Sequence, residues 1–175
     1  MYPRGANLSA LAYALYITVD ALVSIHQNNL VHGQVDVGHI YMQSHPPFDN
    51  KLGFGATVYD DIEALKAEPN SLSAHDTCTW AAAPEVYYNN YPHTSASDIW
   101  QVGITALELA LGKLWAKNRE ELNAVIIAAI VDWEHGLFGN ADFQIFIKDC
   151  LHQDPDMRPT SEQLMQHEFF KNSIN

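Results

Sequence analysis

The stretch HGQVDVGHIYM, from His32 to Met42, holds side chains that could do acid–base or metal chemistry. Asp36 offers a carboxylate and His39 an imidazole, and both groups exchange protons and bind cations. Gln34 has only an amide, which contains no atom of useful basicity near neutral pH. Gly53, in the nearby KLGFG, has no side-chain oxygen for a hard cation such as Mg²⁺.

The length, composition and net charge of the chain limit the class of protein to which it can belong. The chain has 175 residues, 47% hydrophobic and 17% charged, which is typical of one globular domain with its own core. Its 21 acidic and 9 basic side chains give a net charge of -12, and this field repels phosphate backbones and anionic lipid surfaces. We therefore expect neither nucleic acid nor a membrane among its partners.

The positions of the cysteines indicate a cytoplasmic protein, and the positions of the histidines do not indicate a metal site. Cys78 and Cys150 lie far apart and do not form a disulfide framework, as is typical of a reducing compartment. The nine histidines show no ligand spacing with cysteine or acidic residues. The start of the chain lacks a secretory signal pattern, and no uninterrupted run of about 18 apolar residues predicts a membrane span.

Hydrophobic periodicity predicts a mostly helical chain. From Leu8 to His26, large apolar side chains recur at steps of three and four, which predicts a long helix with one buried face. Residues from Ser97 to Leu111 are apolar on nearly every side, which predicts a buried central helix. Further helices are predicted over Glu120 to Val131, over Phe143 to Leu151, and from a capping box at Thr160 through HEFF.

Two segments between the helices are not helical in pattern. SHPPFDN, residues 44–50, has turn chemistry between two short extended pieces and predicts a small β-hairpin. The stretch from Gly53 to Pro84 shows little periodicity, and so long an irregular segment in a domain is usually functional.

Five motifs follow one another along the chain in a specific order. They are the loop at His32, KLGFG at 51–55, APE at 83–85, SDIWQVGITALELALG at 97–112 and DPDMRPT at 154–160. Together they resemble the C-terminal lobe of a eukaryotic protein kinase. The resemblance implies a mainly α fold, a protein-kinase-like C-terminal lobe with a small β-hairpin near a degenerate catalytic loop and with the upper lobe absent.

The same resemblance divides the single domain, 1–175, into four parts. They are a first long helix at 1–30, degenerate catalytic and metal loops at 31–55, an activation-segment-like loop at 56–85 and a helical subdomain at 86–175.

In the kinase family, a loop Asp accepts the proton of the substrate hydroxyl, while a loop Asn and the Asp of Asp-Phe-Gly hold metal ions. By resemblance, Gln34 stands at the base position, Asp36 at a Lys position, and His39 and Gly53 at the two metal-ligand positions. These replacements predict a pseudokinase that is not an enzyme, with no catalytic residue, metal or cofactor. ATP is expected only if an upper lobe is present.

Other family positions are retained. Asp98 matches the Asp that binds the backbone of the catalytic loop, and Glu85 and Arg158 match an ion pair that ties the activation segment to the lower helices. His32 and Phe54 match hydrophobic-spine positions. The resemblance implies structural roles for these five residues.

Among kinases, SDIWQVGITALELA and HEFF are similar to the sterile-twenty group, and VGHIYM with Gly53 is similar to its STRAD adaptor branch. This implies an allosteric adaptor or scaffold in the cytoplasm that binds a protein partner, an active kinase or a helical-repeat scaffold. Two alternatives stay open: an atypical serine/threonine protein kinase fragment whose ATP-binding upper lobe is missing from this chain, and a truncated relic without a partner. Asp36 as a relocated base is disfavoured, because its charge would repel ATP.

Overall fold

The computed structural model describes residues 8–45, 49–54, 81–111, 116–131 and 140–174. The α-helices of these residues are α1 (Leu8–Gln27), α2 (Pro84–Asn89), α3 (Ser95–Leu111), α4 (Arg119–Val131), α5 (Ala141–Cys150), α6 (Ser161–Met165) and α7 (Glu168–Ser173). Strands β1 (Ile40–His45) and β2 (Asp49–Phe54) form an antiparallel hairpin, and 3₁₀ turns lie at Val37–His39 and Pro155–Met157. The mainly α architecture and the hairpin agree with the sequence-based prediction.

Helix α1 buries one face against the rest of the domain. Leu11, Leu15, Val19 and Leu22 follow helical spacing and are at most 2% exposed. Among the described residues, α1 is the one helix that is long and apolar enough to cross a membrane. In this fold its apolar face packs against α3, α6 and α7, which is the behaviour of a core helix.

Helix α3 is the buried central helix that the sequence predicts. Ile99, Trp100, Val102 and Leu107 are almost completely buried, and α3 contacts both α1 and α5. The indole N–H of Trp100 donates a hydrogen bond to the carbonyl of Ala81 at 3.0 Å. Burial of this ring therefore leaves no unpaired donor.

The prediction of one continuous last helix is wrong. The capping box is present, with Thr160 and Gln163 bonding reciprocally at the start of α6. However, α6 ends at Met165, and a second helix, α7, begins after His167, whose side chain accepts a hydrogen bond from the N–H of Phe169 at 3.0 Å. The local hydrogen bond of His167 competes with helix continuation, because it satisfies an N–H at a helix start.

The break between α6 and α7 places two phenylalanines in an aromatic cluster. The ring centroid of Phe169 lies 5.0 Å from that of Phe143 and 5.3 Å from that of Phe146. The ring of Phe170 lies 5.3 Å from that of Phe146. Phe169 and Phe170 are buried in this cluster, which stabilises the observed arrangement of α6 and α7.

Several sequence-based predictions lie outside the described residues. Most of the activation-segment-like loop at 56–85 does, including Cys78; residues 81–85 are described. The four-part division of the domain stays a prediction.

Gly103 marks the closest approach of α3 to the C-terminal end of α5. A Cβ built at this residue would lie 2.7 Å from Leu151 Cγ and 2.9 Å from Cys150 Cβ. We expect Gly103→Ala to lower the free energy of unfolding by about 1–2 kcal/mol, because overpacking outweighs the better helix propensity of alanine. Chemical denaturation measures this loss.

Ser24→Ala on the exposed side of α1 is the control. It introduces the same helix-favouring residue at an exposed position, so we expect a small gain in stability. A Gly103→Ala protein as stable as the control variant would contradict the tight packing of α3.

Candidate functional site

One buried carboxylate holds the loop formed by residues 32–36. Asp98, on α3, is fully buried. Its Oδ1 accepts a hydrogen bond from the N–H of Gly33 at 2.8 Å, and its Oδ2 accepts one from the N–H of His32 at 2.8 Å. Oδ2 also accepts one from Nε2 of His26 at 2.9 Å. Three donors offset the desolvation of the carboxylate, which would otherwise be costly.

His26 extends this network to the C-terminal helices. Its Nδ1 lies 3.1 Å from the hydroxyl of Ser161, at the start of α6, while its Nε2 faces Asp98. The imidazole therefore joins the end of α1 to α3 and to α6 through polar contacts.

Two more side chains of α3 complete the attachment of the loop. Gln101 accepts a hydrogen bond from the N–H of Val35 at 2.7 Å and donates one to the carbonyl of Gly33 at 3.0 Å. The hydroxyl of Thr105 donates to the carbonyl of Val35 at 3.2 Å. These roles were not predicted from the sequence. The available signal was that Gln101 and Thr105 follow Asp98 at helical spacing on a mostly apolar helix.

The loop presents the two candidate residues Gln34 and Asp36 to solvent. Gly33 adopts φ +75°, a left-handed conformation that favours glycine, and this turns the chain outward. The N–H of Gln34 donates to Nδ1 of His32 at 3.2 Å, while the Gln34 side chain is exposed. Asp36 is also exposed and directly precedes the 3₁₀ turn Val37–His39.

The other candidate positions lie on the turn and on the hairpin that follow the loop. Gly53 stands opposite Tyr41 in the antiparallel register, and Phe54 opposite Ile40. His39 closes the 3₁₀ turn. The backbone therefore places these positions directly after the loop along the chain. The structure describes the backbone of His39 and Phe54 but not their side chains.

A bidentate ion pair holds the APE segment. Arg158 Nη1 donates to Glu85 Oε1 at 2.7 Å, and Nη2 donates to Oε2 at 2.8 Å. Arg158 also donates to the carbonyls of Ala96 and His152, at 2.9 and 2.8 Å. Its guanidinium carbon lies 5.1 Å from the centroid of the Trp100 ring. The pair is buried, so each member depends on the other for compensation of its charge.

The pKa of Glu85 lies below its ordinary value. Burial acts to raise this pKa, but the hydrogen bonds and the positive charge of Arg158 outweigh burial. Glu85 is therefore ionised at neutral pH, and its interaction with Arg158 stabilises the folded state.

A second arginine holds the same segment from α4. Arg119 Nη1 donates to the carbonyl of Ala82, and its guanidinium carbon lies 5.1 to 5.5 Å from the ring centroids of Tyr87, Tyr88 and Trp100. Nothing in the local sequence around Arg119 indicated this contact, since it depends on how α4 packs.

The described residues contain no metal-binding cluster of three or more histidine, cysteine or acidic side chains.

Cys150 is fully buried, and burial raises the pKa of its thiol well above the usual range. It therefore stays protonated and is a packing residue, not a nucleophile.

Comparison with known proteins identifies the family of this fold. The family model for the protein kinase domain matches residues 9–170. This chain belongs to the protein kinase domain family. The match confirms the predicted fold class, a kinase-type fold that is mainly helical, and it accounts for the order of the five motifs.

Relatives that are named as protein kinases match most of the chain. Serine/threonine-protein kinase fray2 of Dictyostelium discoideum is 28% identical over 97% of this chain, and serine/threonine-protein kinase dst4 of the same organism is 29% identical over 92%. Mitogen-activated protein kinase kinase kinase 3 of Arabidopsis thaliana is 32% identical over 87%. The chain spans 16%, 33% and 24% of the lengths of these three proteins.

These names correct one prediction. The chain was expected not to be an enzyme, because Gln34 and Gly53 replace residues with catalytic roles. The relatives are named as protein kinases, and none of the names above is that of a pseudokinase, so this expectation is wrong. It rested on the types of individual side chains alone.

We expect Glu85→Gln to lower the free energy of unfolding by about 3 kcal/mol at neutral pH, because it leaves the buried Arg158 cation without its counter-charge. In the unchanged protein, the folded-state pKa of Glu85 is depressed, so its contribution is present above pH 4.5, the ordinary value, and is lost as the pH falls through the lower folded pKa. The variant should lack this acid-side loss. Denaturation series at several pH values measure both effects.

Glu168→Gln is the matched control. Glu168 pairs with Lys171 at 2.8 Å, but both side chains are at least half exposed. Removal of such a pair changes stability by at most about 0.5 kcal/mol. Equal losses in the two variants would contradict a buried structural role for Glu85.

Proposed function

We propose that this chain is the lower lobe of an atypical serine/threonine protein kinase and acts together with an ATP-binding upper lobe. The observation that carries the proposal is the attachment of loop 32–36 to α3 through Asp98, Gln101 and Thr105. All of these bonds go to loop backbone, so the loop keeps a fixed shape whatever side chain stands at Gln34. The kinase names of the relatives support the reaction class.

The chemistry of phosphoryl transfer makes a slow but real activity compatible with Gln34. Catalysis of this reaction rests mainly on positioning and on electrostatic stabilisation, with little covalent work for the protein. A general base contributes about 10²- to 10⁴-fold, which is only part of the total acceleration. Loss of the base therefore lowers the rate without removing the positioning that the rigid loop supplies.

The sequence disfavours Asp36 as a base because its charge repels ATP, but the structure exposes this side chain to solvent, which screens the charge. Asp36 is therefore the candidate proton acceptor in this arrangement. It is the acidic side chain of loop 32–36, and it is exposed beside Gln34. Its carboxylate is able to take the proton of an attacking serine or threonine hydroxyl. The part of the chain that the structure describes contains no group of three or more histidine, cysteine or acidic side chains that could hold a metal ion, and we assign no step to a metal.

The test is phosphate transfer from labelled ATP to serine and threonine of a histone substrate by the natural protein that contains this chain. We expect a slow transfer in the unchanged protein, a rise of at least 10²-fold in Gln34→Asp, and a fall of at least tenfold in Asp36→Asn. Phosphoamino-acid analysis distinguishes the acceptor residues.

Gln153→Asp is the control, since it makes the same substitution at an exposed position outside the loop. It should leave the rate unchanged. No transfer by either the unchanged protein or Gln34→Asp, with both proteins folded by thermal melt, would overturn the proposal.

Partner binding is the second candidate function, and exposed aromatic side chains favour it. Tyr87, Tyr88 and Tyr91 are 41%, 61% and 60% exposed, and all three follow the APE segment. Exposed tyrosines of this kind are enriched at protein interfaces. Assignment to the sterile-twenty group and its STRAD branch, which rests on motif resemblance, would make the partner an active kinase or a helical-repeat scaffold in the cytoplasm.

Co-purification of the tagged natural protein from its own cells, with identification by mass spectrometry, tests this role. We expect Tyr88→Ala to reduce the recovered partner by at least fivefold, because truncation of a central interface aromatic typically costs more than 1 kcal/mol. Tyr13→Ala is the control, since Tyr13 is 39% exposed on α1. Equal recovery with both variants would exclude the tyrosine surface.

A further inference from the structure

A groove lies between α4 and α5, apart from loop 32–36. It has a volume of about 340 Å³ and is lined by Ile130 of α4 and by Gln144, Ile145 and Lys148 of α5. The groove is open to solvent on one side, so it is a surface groove and not an enclosed ligand pocket.

The groove has an aliphatic wall. Ile130 of α4 and Ile145 of α5 line it, and Ile145 is 43% exposed. Helix α4 also exposes Ile127 and Val131, which are 60% and 69% exposed. Aliphatic side chains that line a groove on the surface are typical of interaction sites.

Gln144 gives the groove an unsatisfied donor. The residue is only 5% exposed, and its Nε2 has no hydrogen-bond partner among the described residues. A buried polar group without a partner destabilises a fold, so native proteins rarely retain one. Gln144 lines the groove, so rotation of its side chain brings Nε2 within reach of an acceptor on an occupant of the groove.

Lys148 supplies a cation on the same side of α5, one turn after Gln144. It is exposed, and it forms no ion pair with any residue that the structure describes. Its neighbour Asp149 faces His167 at 3.6 Å. An amide donor and a lysine next to an aliphatic wall are complementary to a carboxylate carried beside an aliphatic group.

We propose that this groove binds a protein partner through a segment that presents an aliphatic side chain next to an acidic one. The aliphatic side chain covers Ile130 and Ile145. The carboxylate pairs with Lys148, and it accepts a hydrogen bond from Gln144 Nε2 when that side chain rotates toward the groove. The site is independent of phosphoryl transfer, so it stands or falls separately from the proposed activity.

The probe is a capped peptide, acetyl-leucine-glutamate-glutamate-leucine-amide, titrated into the 175-residue chain labelled with ¹⁵N and with ¹³C at isoleucine methyl groups. We expect the side-chain amide signal of Gln144 and the methyl signals of Ile130 and Ile145 to shift together with one dissociation constant. The matched peptide with glutamine in place of glutamate should bind at least tenfold more weakly.

Three variants locate the interaction. Lys148→Glu should weaken binding at least tenfold, while Lys117→Glu, which makes the same charge change at an exposed lysine before α4, should leave it unchanged. Gln144→Leu should weaken binding but raise the melting temperature, since it removes a buried unsatisfied amide. A role in folding alone would not produce this pair of opposite changes.

Several results would overturn the proposal. They are no shift at Gln144 with millimolar peptide, equal affinity for the two peptides, and equal effects of Lys148→Glu and Lys117→Glu. Shifts that depend on protein concentration without any peptide would show that a second copy of the chain occupies the groove instead.

Discussion

The buried carboxylate of Asp98 is the interaction on which the rest of the structure depends. Removal of a carboxylate from water costs several kcal/mol unless donors replace the lost hydration. Those donors come from His26 at the end of α1 and from the backbone of His32 and Gly33. The need for these donors brings the end of α1 and the loop to the first turn of α3, although both lie far from α3 in the sequence. Burial of the apolar faces of α1 and α3 supplies the free energy that keeps them there.

Helix α3 also positions the APE segment, through a different kind of contact. The guanidinium groups of Arg158 and Arg119 lie 5.1 and 5.3 Å from the ring centroid of the buried Trp100. Arg158 binds Glu85 and Arg119 binds the carbonyl of Ala82, so one indole ring lies at the centre of both attachments. The loop and the APE segment are therefore both positioned by the same helix, α3.

Because backbone atoms attach the loop to α3, the kinase fold is kept even though side chains at catalytic positions differ from the family pattern. The bonds that hold loop 32–36 involve backbone atoms, which every residue type supplies. The side chains of Gln34 and Asp36 are exposed. A kinase-type loop can thus change its reactive side chains while its shape is preserved, and its residue types alone do not decide whether the chain has activity.

The sequence by itself determined the local elements: the long first helix, the buried central helix, the hairpin and the capping box at Thr160 are set by periodicity and by contacts within a few residues. Tertiary structure decided the rest. The pairing of Gln101 with Val35, the break at His167 and the unsatisfied amide of Gln144 all depend on which helices pack together. Motif resemblance located Asp98 and Glu85, but distances between residues more than 60 positions apart follow from burial of the whole core, which no local pattern encodes.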